Sequence, residues 1–163
     1  MKATLPLVLL VVLATSTLPA FAAKTSSASG SFMDTSVISS KSTQIGTTLV
    51  FDQANAGIIT GTFSGPYVAY VHLTVNLLTG NAVYQAIDVC TCTVAGKSGT
   101  VNFYEQGSLT PSGVLSSTAT IVSGTNQLAN QQGKIALQGI VYDPLGLTMG
   151  TYAGQIWRGS SDD

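Results

Sequence analysis

The sequence has 163 residues and a formal net charge of −1, and only 8% of its residues are charged. A nucleic-acid-binding protein needs a basic stripe that neutralises phosphates, and the six lysines and arginines of this chain are scattered along it. A helical domain would carry Glu and Lys on its wet faces, whereas Ser, Thr, Asn, Gln and Gly fill the polar positions here. This composition excludes a nucleic-acid binder and is typical of an exported β protein.

The first 22 residues have the pattern of a secretory signal peptide. Lys2 supplies the positive charge, residues 5–13 form an apolar run too short to span a bilayer, and Ala20-Phe21-Ala22 is a small-x-small cleavage pattern. We therefore expect cleavage after Ala22 and a protein that is secreted or periplasmic, with no membrane attachment after cleavage. An uncleaved N-terminal anchor is the alternative interpretation of the same run.

Removal of the signal peptide leaves one domain of ordinary size. Residues 23–29 are predicted to be a flexible polar tail, residues 30–158 a β domain and residues 159–163 a C-terminal tail. A chain of this size buries roughly 68–70% of its unfolded surface, which is enough for a hydrophobic core without staples.

From Gly30 onward, polar and apolar residues mostly alternate, with Gly-containing breaks at intervals. The segment 126–132 is predicted to form a turn or a single helical turn. The turn at residues 95–99 supplies the positive φ angles that a hairpin needs. The candidate strands are residues 31–39, 46–52, 57–64, 67–76, 82–94, 100–106, 113–123, 133–142 and 148–157.

When sequential strands are joined by short links, the edge strands of the sheet must be paired or covered. A closed antiparallel barrel does so fully, whereas a two-sheet sandwich does so only partly. The sequence has no repeat with the period of a solenoid or a propeller. Periodicity therefore predicts an all-β domain and leaves barrel and sandwich open.

The hairpin at residues 81–107 contains most of the side chains that could take part in chemistry. Side chains alternate across a strand, so its first strand has a Val/Ile face and a second face with Tyr, Asp and Cys. Periodicity alone would put the Val/Ile face inside. On the second strand, Val101, Phe103 and Glu105 share a face. The two faces of the first strand are Val83, Gln85, Ile87, Val89 and Thr91, and Tyr84, Ala86, Asp88, Cys90 and Cys92.

This hairpin, followed by residues 121–134, resembles a bacterial domain-of-unknown-function family with the allene oxide cyclase-like barrel. Plant dirigent proteins share the general architecture of that family. Three positions depart from the family pattern: Asn126 stands where Gly is preferred, Asp88 where Glu is usual, and Glu105 where His is common. The matching residues are Tyr84, Asp88, Gly96, Lys97, Ser98, Gly99, Gly107, Gly124, Thr125, Leu128 and Gly133.

The resemblance covers about residues 28–157 and implies an all-β fold, an antiparallel eight-stranded barrel with a central cavity. It implies neither an agreed activity nor a cofactor, and we predict no cofactor. It also places the face with Tyr84 and Asp88 toward the lumen. An outward Val/Ile face is compatible with its apolar character, because the outside of a barrel wall is often covered by an extra segment or a partner.

In such a lumen, Asp88 and Glu105 would lie close together and share a proton, which raises one pKa. With Tyr84 as a donor, these two carboxyl groups form the candidate catalytic set. The alternative is that one or both point at water or close a structural hydrogen-bond network.

The candidate ligand-binding residues of the lumen are Tyr70, His72, Tyr84, Cys90 and Phe103. His72 is the single histidine and cannot build a zinc site without other ligands, so no metal site is predicted. A surface or core position is the alternative for His72.

Cys90 and Cys92 share one strand face. In an extended strand their Cα atoms would lie roughly 6.6 Å apart, within the limit of about 6.8 Å for a disulfide. A local bridge and two buried free thiols are equally compatible with the sequence, and pairing between molecules is a further alternative.

The sequence contains no Gly-x-Ser-x-Gly elbow, phosphate loop or dinucleotide fingerprint. We therefore expect an exported barrel that binds a small, largely apolar ligand in its lumen, with self-association into a homo-oligomer as a further expectation. The sequence leaves enzymatic activity open. The alternatives are a cofactor-free cyclase or isomerase that uses Asp88, Glu105 and Tyr84, and a structural or interaction module with a packed lumen.

Overall fold

The computed structural model describes residues 25–159, and the predicted signal peptide and residues 160–163 lie outside this range. The described chain forms eight strands and one short 3-10 helix, η1. No helix within this range is long and apolar enough to cross a membrane. The elements are β1 (Ser26–Ile45), β2 (Thr48–Gly61), β3 (Phe63–Asn76), β4 (Ala82–Val94), β5 (Lys97–Leu109), β6 (Val114–Gly124), η1 (Asn126–Leu128), β7 (Gln131–Val141) and β8 (Thr148–Arg158).

The eight strands form one closed antiparallel barrel in which each strand pairs with its neighbours in sequence. Closure is made by β1 and β8, which pair from Ser26 with Ile156 to Met33 with Met149. The predicted all-β, eight-stranded antiparallel barrel is therefore confirmed. Consecutive pairing is possible because short turns join all the strands, which is the simplest way to leave no open sheet edge.

Several of the predicted boundaries differ from the structure. Residues 46–52 and 57–64 were predicted as separate strands, but β2 runs without a break to Gly61. β1 begins at Ser26, so part of the predicted flexible tail is a paired strand. The turn predicted over residues 95–99 consists of only Ala95 and Gly96, both with positive φ, as in a two-residue hairpin.

One end of the barrel, which we call the closed end, is packed with side chains. Phe63, Val101 and Leu128 are fully buried there, and the rings of Phe63 and Phe103 meet edge to face with centroids 5.1 Å apart. Leu128 belongs to η1, which confirms the single helical turn predicted near residues 126–132. The closed end therefore holds the most completely buried part of the hydrophobic core, and the cavity lies toward the opposite end.

The connection that carries η1 is held against β5 by backbone and side-chain contacts. Thr125 N donates to Thr100 O at 2.9 Å, and Thr125 Oγ1 accepts from Thr100 N at 3.0 Å. A Cβ atom at Gly99 would lie 2.3 Å from Thr125 O, so no larger residue fits. Asn126 adopts a positive φ of 52°, which Asn tolerates better than most residues and which explains why it can replace Gly there.

An acid-lined cavity in the barrel lumen

The lumen contains a cavity of about 190 Å³ between the closed end and the end formed by the β1–β2, β3–β4, β5–β6 and β7–β8 connections. Its lining reaches Gly146 in the β7–β8 connection. Most of the lining side chains are apolar, among them Phe32, Leu73 and Phe103. The polar residues of the lining are Asp34, Gln53, Asn55, Tyr67, Tyr84, Asp88, Glu105 and Thr148.

The orientation of β4 follows the family pattern and contradicts simple hydrophobic periodicity. Tyr84, Asp88 and Cys90 line the cavity, whereas Val83 and Ile87 are 61% and 41% exposed on the outer wall. The expectation from periodicity that the Val/Ile face lies inside is therefore wrong. Polar groups occupy the inner face because partners on neighbouring strands satisfy them.

Asp88 and Glu105 are diagonal neighbours on the inner face of β4 and β5. Asp88 pairs with Phe103 in the register, and Glu105 pairs with Ala86, so the two carboxyl side chains lean toward each other. Burial raises the pKa of Asp88, and the charge and hydrogen bonding of Glu105 raise it further. Asp88 is thus the member of the pair that retains a proton.

Glu105 is buried and is held by two hydroxyl groups. Its Oε1 atom accepts a hydrogen bond from Tyr84 and another, at 2.6 Å, from Ser117 Oγ. The Tyr84 ring reaches across Gly107, where an added Cβ atom would lie 2.7 Å from the ring. Burial and the neighbouring Glu105 charge raise the pKa of Tyr84, so its hydroxyl stays protonated and donates. The structure therefore brings the predicted catalytic set Tyr84, Asp88 and Glu105 together.

A second buried carboxylate, Asp34, faces the same cavity and was not identified from the sequence. Its Oδ1 atom accepts from the Tyr67 hydroxyl at 2.6 Å. Its Oδ2 atom accepts from Thr148 N at 3.0 Å, Thr148 Oγ1 at 2.9 Å and Asn55 Nδ2 at 3.3 Å. Four donors from three residues therefore satisfy this carboxylate, as burial of a charge requires.

The Tyr67 side chain on β3 crosses β2 to reach Asp34 on β1. Gly57 of β2 lies between them in the register, opposite Asp34 on β1 and Tyr67 on β3. A Cβ atom at Gly57 would lie 2.2 Å from the tyrosine ring, so the ring can cross β2 only because this residue is glycine. Burial and the Asp34 charge raise the pKa of Tyr67, which keeps the hydroxyl a donor. A tyrosine also lies over a glycine at Tyr84 and Gly107, but there the acid, Glu105, is on the same strand as the glycine.

A signal for Asp34 was present in the sequence. Phe32 is an apolar residue of the same predicted strand, and alternation places Asp34, two residues later, on the same face as Phe32. The strand is bent just beyond this point, because the register between β1 and β2 shifts between Asp34 and Ser36. Extending the alternation by one step would have found this acid.

Two of the predicted ligand-binding residues do not face the lumen. Tyr70 is 56% exposed, and His72 lies on the outer wall, where its Nδ1 atom is 2.7 Å from Asp52 Oδ1. The expectation that they line the cavity is wrong because β3 is apolar on both faces and alternation does not say which face is buried. The inner face of β3 is instead formed by Tyr67, Ala69, Val71 and Leu73. The other three predicted ligand-binding residues, Tyr84, Cys90 and Phe103, do line the cavity.

Cys90 and Cys92 are joined by a disulfide within one strand, with their Cα atoms 5.4 Å apart. Both residues are buried, and Cys90 contributes to the cavity wall. Of the states that the sequence left open, the structure therefore contains the local bridge. Within residues 25–159, no group of three or more His, Cys, Asp or Glu side chains is arranged to hold a metal ion.

A family model described as a protein of unknown function (DUF3224) matches residues 25–140. The chain belongs to the DUF3224 family. A solved DUF3224 protein of unknown function from Shewanella oneidensis MR-1 superposes with a TM-score of 0.66 and 16% identity, covering 85% of this chain and 100% of that one. A pterocarpan synthase dirigent protein superposes with a TM-score of 0.53 and 10% identity, covering 93% and 98%. At these identities the likeness shows the fold alone, and no curated protein matches the sequence.

The residues by which this DUF3224 protein was recognised fall into two spatial groups. Gly99, Thr125 and Leu128 hold the closed end together. Tyr84 and Asp88 line the cavity. The first group is explained by its role in the fold. The second group places polar side chains in a lumen that apolar residues could fill, so we attach a function to this second group.

Proposed function

We propose that this DUF3224 protein is an exported barrel protein that binds a small, largely apolar molecule in its lumen. The observation that carries the proposal is the cavity of about 190 Å³ with mostly apolar walls and a few convergent polar groups. An apolar protein cavity of about 150 Å³ takes up benzene, so this one suits a molecule with one ring or a short chain. Export rests on the signal-peptide pattern of residues 1–22 alone.

In the packed-lumen alternative, large side chains such as Phe103, Tyr70 and Leu73 would fill the barrel. Tyr70 lies on the outer wall, and Phe103 and Leu73 border the cavity without filling it. This arrangement supports a ligand-binding lumen over a purely structural barrel.

Filling the cavity is expected to abolish ligand uptake. Ala119 is buried on the inner face of β6 and borders the cavity, so Ala119→Leu adds three carbons to the space that a ligand would occupy. We expect binding of propylbenzene, measured by calorimetry or by ligand-observed NMR, to weaken at least tenfold, because the added side chain takes the ligand's place.

The matched control is Ala136→Leu, which makes the same change at an exposed position of β7. It should bind propylbenzene as the unaltered protein does. Equal binding by both variants would contradict a ligand site in the lumen. Native mass spectrometry of the purified protein gives an independent measurement, since a ligand retained from the producing cell appears as an added mass.

The second candidate function is a cofactor-free cyclase or isomerase, and it is favoured by one specific observation. Asp88, whose pKa is raised by burial and by Glu105, lies beside Glu105, which in turn accepts a hydrogen bond from the Tyr84 hydroxyl. In this geometry Asp88 would donate a proton to a bound substrate and Glu105 would receive one, while the walls hold the substrate in one conformation.

The amide variants Asp88→Asn and Glu105→Gln test this second function. They keep the shape of the site and remove its transferable protons, so turnover of any substrate found for the protein should fall by about 10²–10⁴-fold. Binding of propylbenzene should persist, because its contacts are apolar. Unchanged turnover in both variants would rule out the acid–base scheme and leave binding as the function.

A further inference from the structure

Most of the side-chain hydrogen-bond donors that line the cavity already donate to protein acceptors. The hydroxyl groups of Tyr67 and Thr148 donate to Asp34, and that of Tyr84 donates to Glu105. The remaining two donor side chains, Asn55 and Gln53, donate to Asp34, to Asn55 Oδ1 and to Leu145 O. Apart from the second N–H of Asn55 and the proton that Asp88 shares with Glu105, the side-chain donors of the described walls therefore already have protein acceptors.

The acceptors of the cavity are not all used. Both hydroxyl bonds to Glu105 end on its Oε1 atom, and the other group that hydrogen-bonds to this carboxyl is the neighbouring Asp88. The Asp88 carboxyl interacts with the neighbouring acids Glu105 and Asp34. The Asp88 side chain is enclosed by the barrel wall and borders the cavity. The groups of this cavity that remain available to a ligand are thus mainly acceptors, the carboxyl oxygens of Asp88 and Glu105, which share one proton.

The cavity also lacks a balancing positive charge. Asp34, Asp88 and Glu105 all border it, and no Lys, Arg or His is among its lining residues. In the described range, the basic side chains lie on the outside of the barrel. An opposite charge inside a poorly solvated lumen interacts far more strongly with these acids than it would in water.

We propose that the ligand of this lumen is a small amine, with an ammonium group that binds Asp88 and Glu105 and an apolar portion that fills the rest of the cavity. The inference rests on the proposed lumen-binding function and specifies its ligand class. An ammonium group brings three donors and a positive charge to a place that offers acceptors and carboxylates. A ligand whose polar group is a carbonyl or an ether can accept only the proton that Asp88 and Glu105 share. A ligand with a carboxylate is repelled by the negative charge of these acids.

Four matched ligands test the proposal with the full protein as it exists: phenethylamine, phenethyl alcohol, propylbenzene and hydrocinnamate. All have one ring and a short chain, and they end in an ammonium, hydroxyl, methyl or carboxylate group. We expect phenethylamine to bind roughly tenfold more tightly than the alcohol, since a hydrogen bond to a charged group is stronger than a neutral one. Hydrocinnamate should bind most weakly.

The preference must also depend on the two acids. In Asp88→Asn and in Glu105→Gln, the advantage of phenethylamine over phenethyl alcohol should fall to about twofold or less, because one carboxylate has been replaced by an amide. Asp52→Asn is the matched control, since it removes the same charge from the outer wall, and it should keep the full preference. Retained binding of propylbenzene shows that each variant is folded with its cavity intact.

The outcomes separate this inference from the function on which it rests. If none of the four ligands binds, the lumen-binding function itself fails. If propylbenzene and the alcohol bind as tightly as the amine, or the carboxylate binds best, the function stands and the amine proposal is overturned. An amine preference that survives both acid substitutions also overturns it, because the ammonium group must then bind elsewhere.

Discussion

Replacing Asp34 with alanine is expected to lower the free energy of unfolding by about 2–4 kcal/mol. The carboxylate is 3% exposed and accepts hydrogen bonds from Tyr67, Thr148 and Asn55. Its removal leaves those donors without an acceptor inside the barrel, and a buried unsatisfied donor costs about 1–3 kcal/mol. Denaturant unfolding followed by circular dichroism measures the change.

The control for this prediction is Asp52→Ala, which removes a carboxylate paired with His72 on the outer wall. An exposed pair of this kind contributes about 0–1 kcal/mol, so the control should unfold nearly as the unaltered protein does. Asp34→Asn should fall between the two, because an amide keeps one acceptor oxygen and loses the other. A loss at Asp34→Ala no larger than that of the control would show that the network around Asp34 does not stabilise the fold.

Asp88→Asn is expected to stabilise the protein at neutral pH and to leave its stability unchanged at about pH 3. The unfolded carboxyl titrates near its ordinary pKa of 3.8, whereas burial and Glu105 hold the folded pKa well above that value. As the pH rises from about 4 through the folded pKa, the unfolded state releases a proton that the folded state keeps, so stability falls. Asparagine cannot ionise, and its amide can still donate to Glu105.

The size of the gain at pH 7 is about 1.4 kcal/mol for each unit by which folding raises the pKa of Asp88. Thermal unfolding of both proteins between pH 3 and pH 8 gives the difference curve directly. The curve should be flat near pH 3, rise above about pH 4 and level off once the folded carboxyl has ionised. A variant that is equally less stable at every pH would contradict a raised pKa, since it would mean that the carboxyl acts only as a packing or hydrogen-bonding group.

The barrel was predictable from the sequence to a large extent, because its turns and strand alternation are local properties. The two-residue turn at Ala95 and Gly96 sets the β4–β5 pairing, and glycine there is visible in the sequence. The closure of β1 on β8 was not visible in any local pattern. It came from the resemblance to a family with the same spacing of Gly99, Thr125 and Leu128.

The cavity was only partly predictable, because several strands are apolar on both faces. On β4 the family pattern selected the face with Tyr84 and Asp88, and the structure agrees. No such pattern was available for β3, and the wrong face was chosen there, with Tyr70 and His72. The contact between Tyr67 and Asp34 spans three strands, so it depends on a barrel register that one strand's sequence does not contain.

The contact that Tyr67 makes with Asp34 across Gly57 also affects which strand pairing the chain adopts. A slip of one residue between β2 and its neighbours would bring Ala56 or Ile58 under the Tyr67 ring in place of Gly57, and the ring would then clash. Strands with apolar residues on both faces tolerate such slips as far as hydrophobic burial is concerned. The buried tyrosines and carboxylates penalise the wrong pairings, so we infer that the polar interior selects a single native register among alternatives that the apolar core alone would not distinguish.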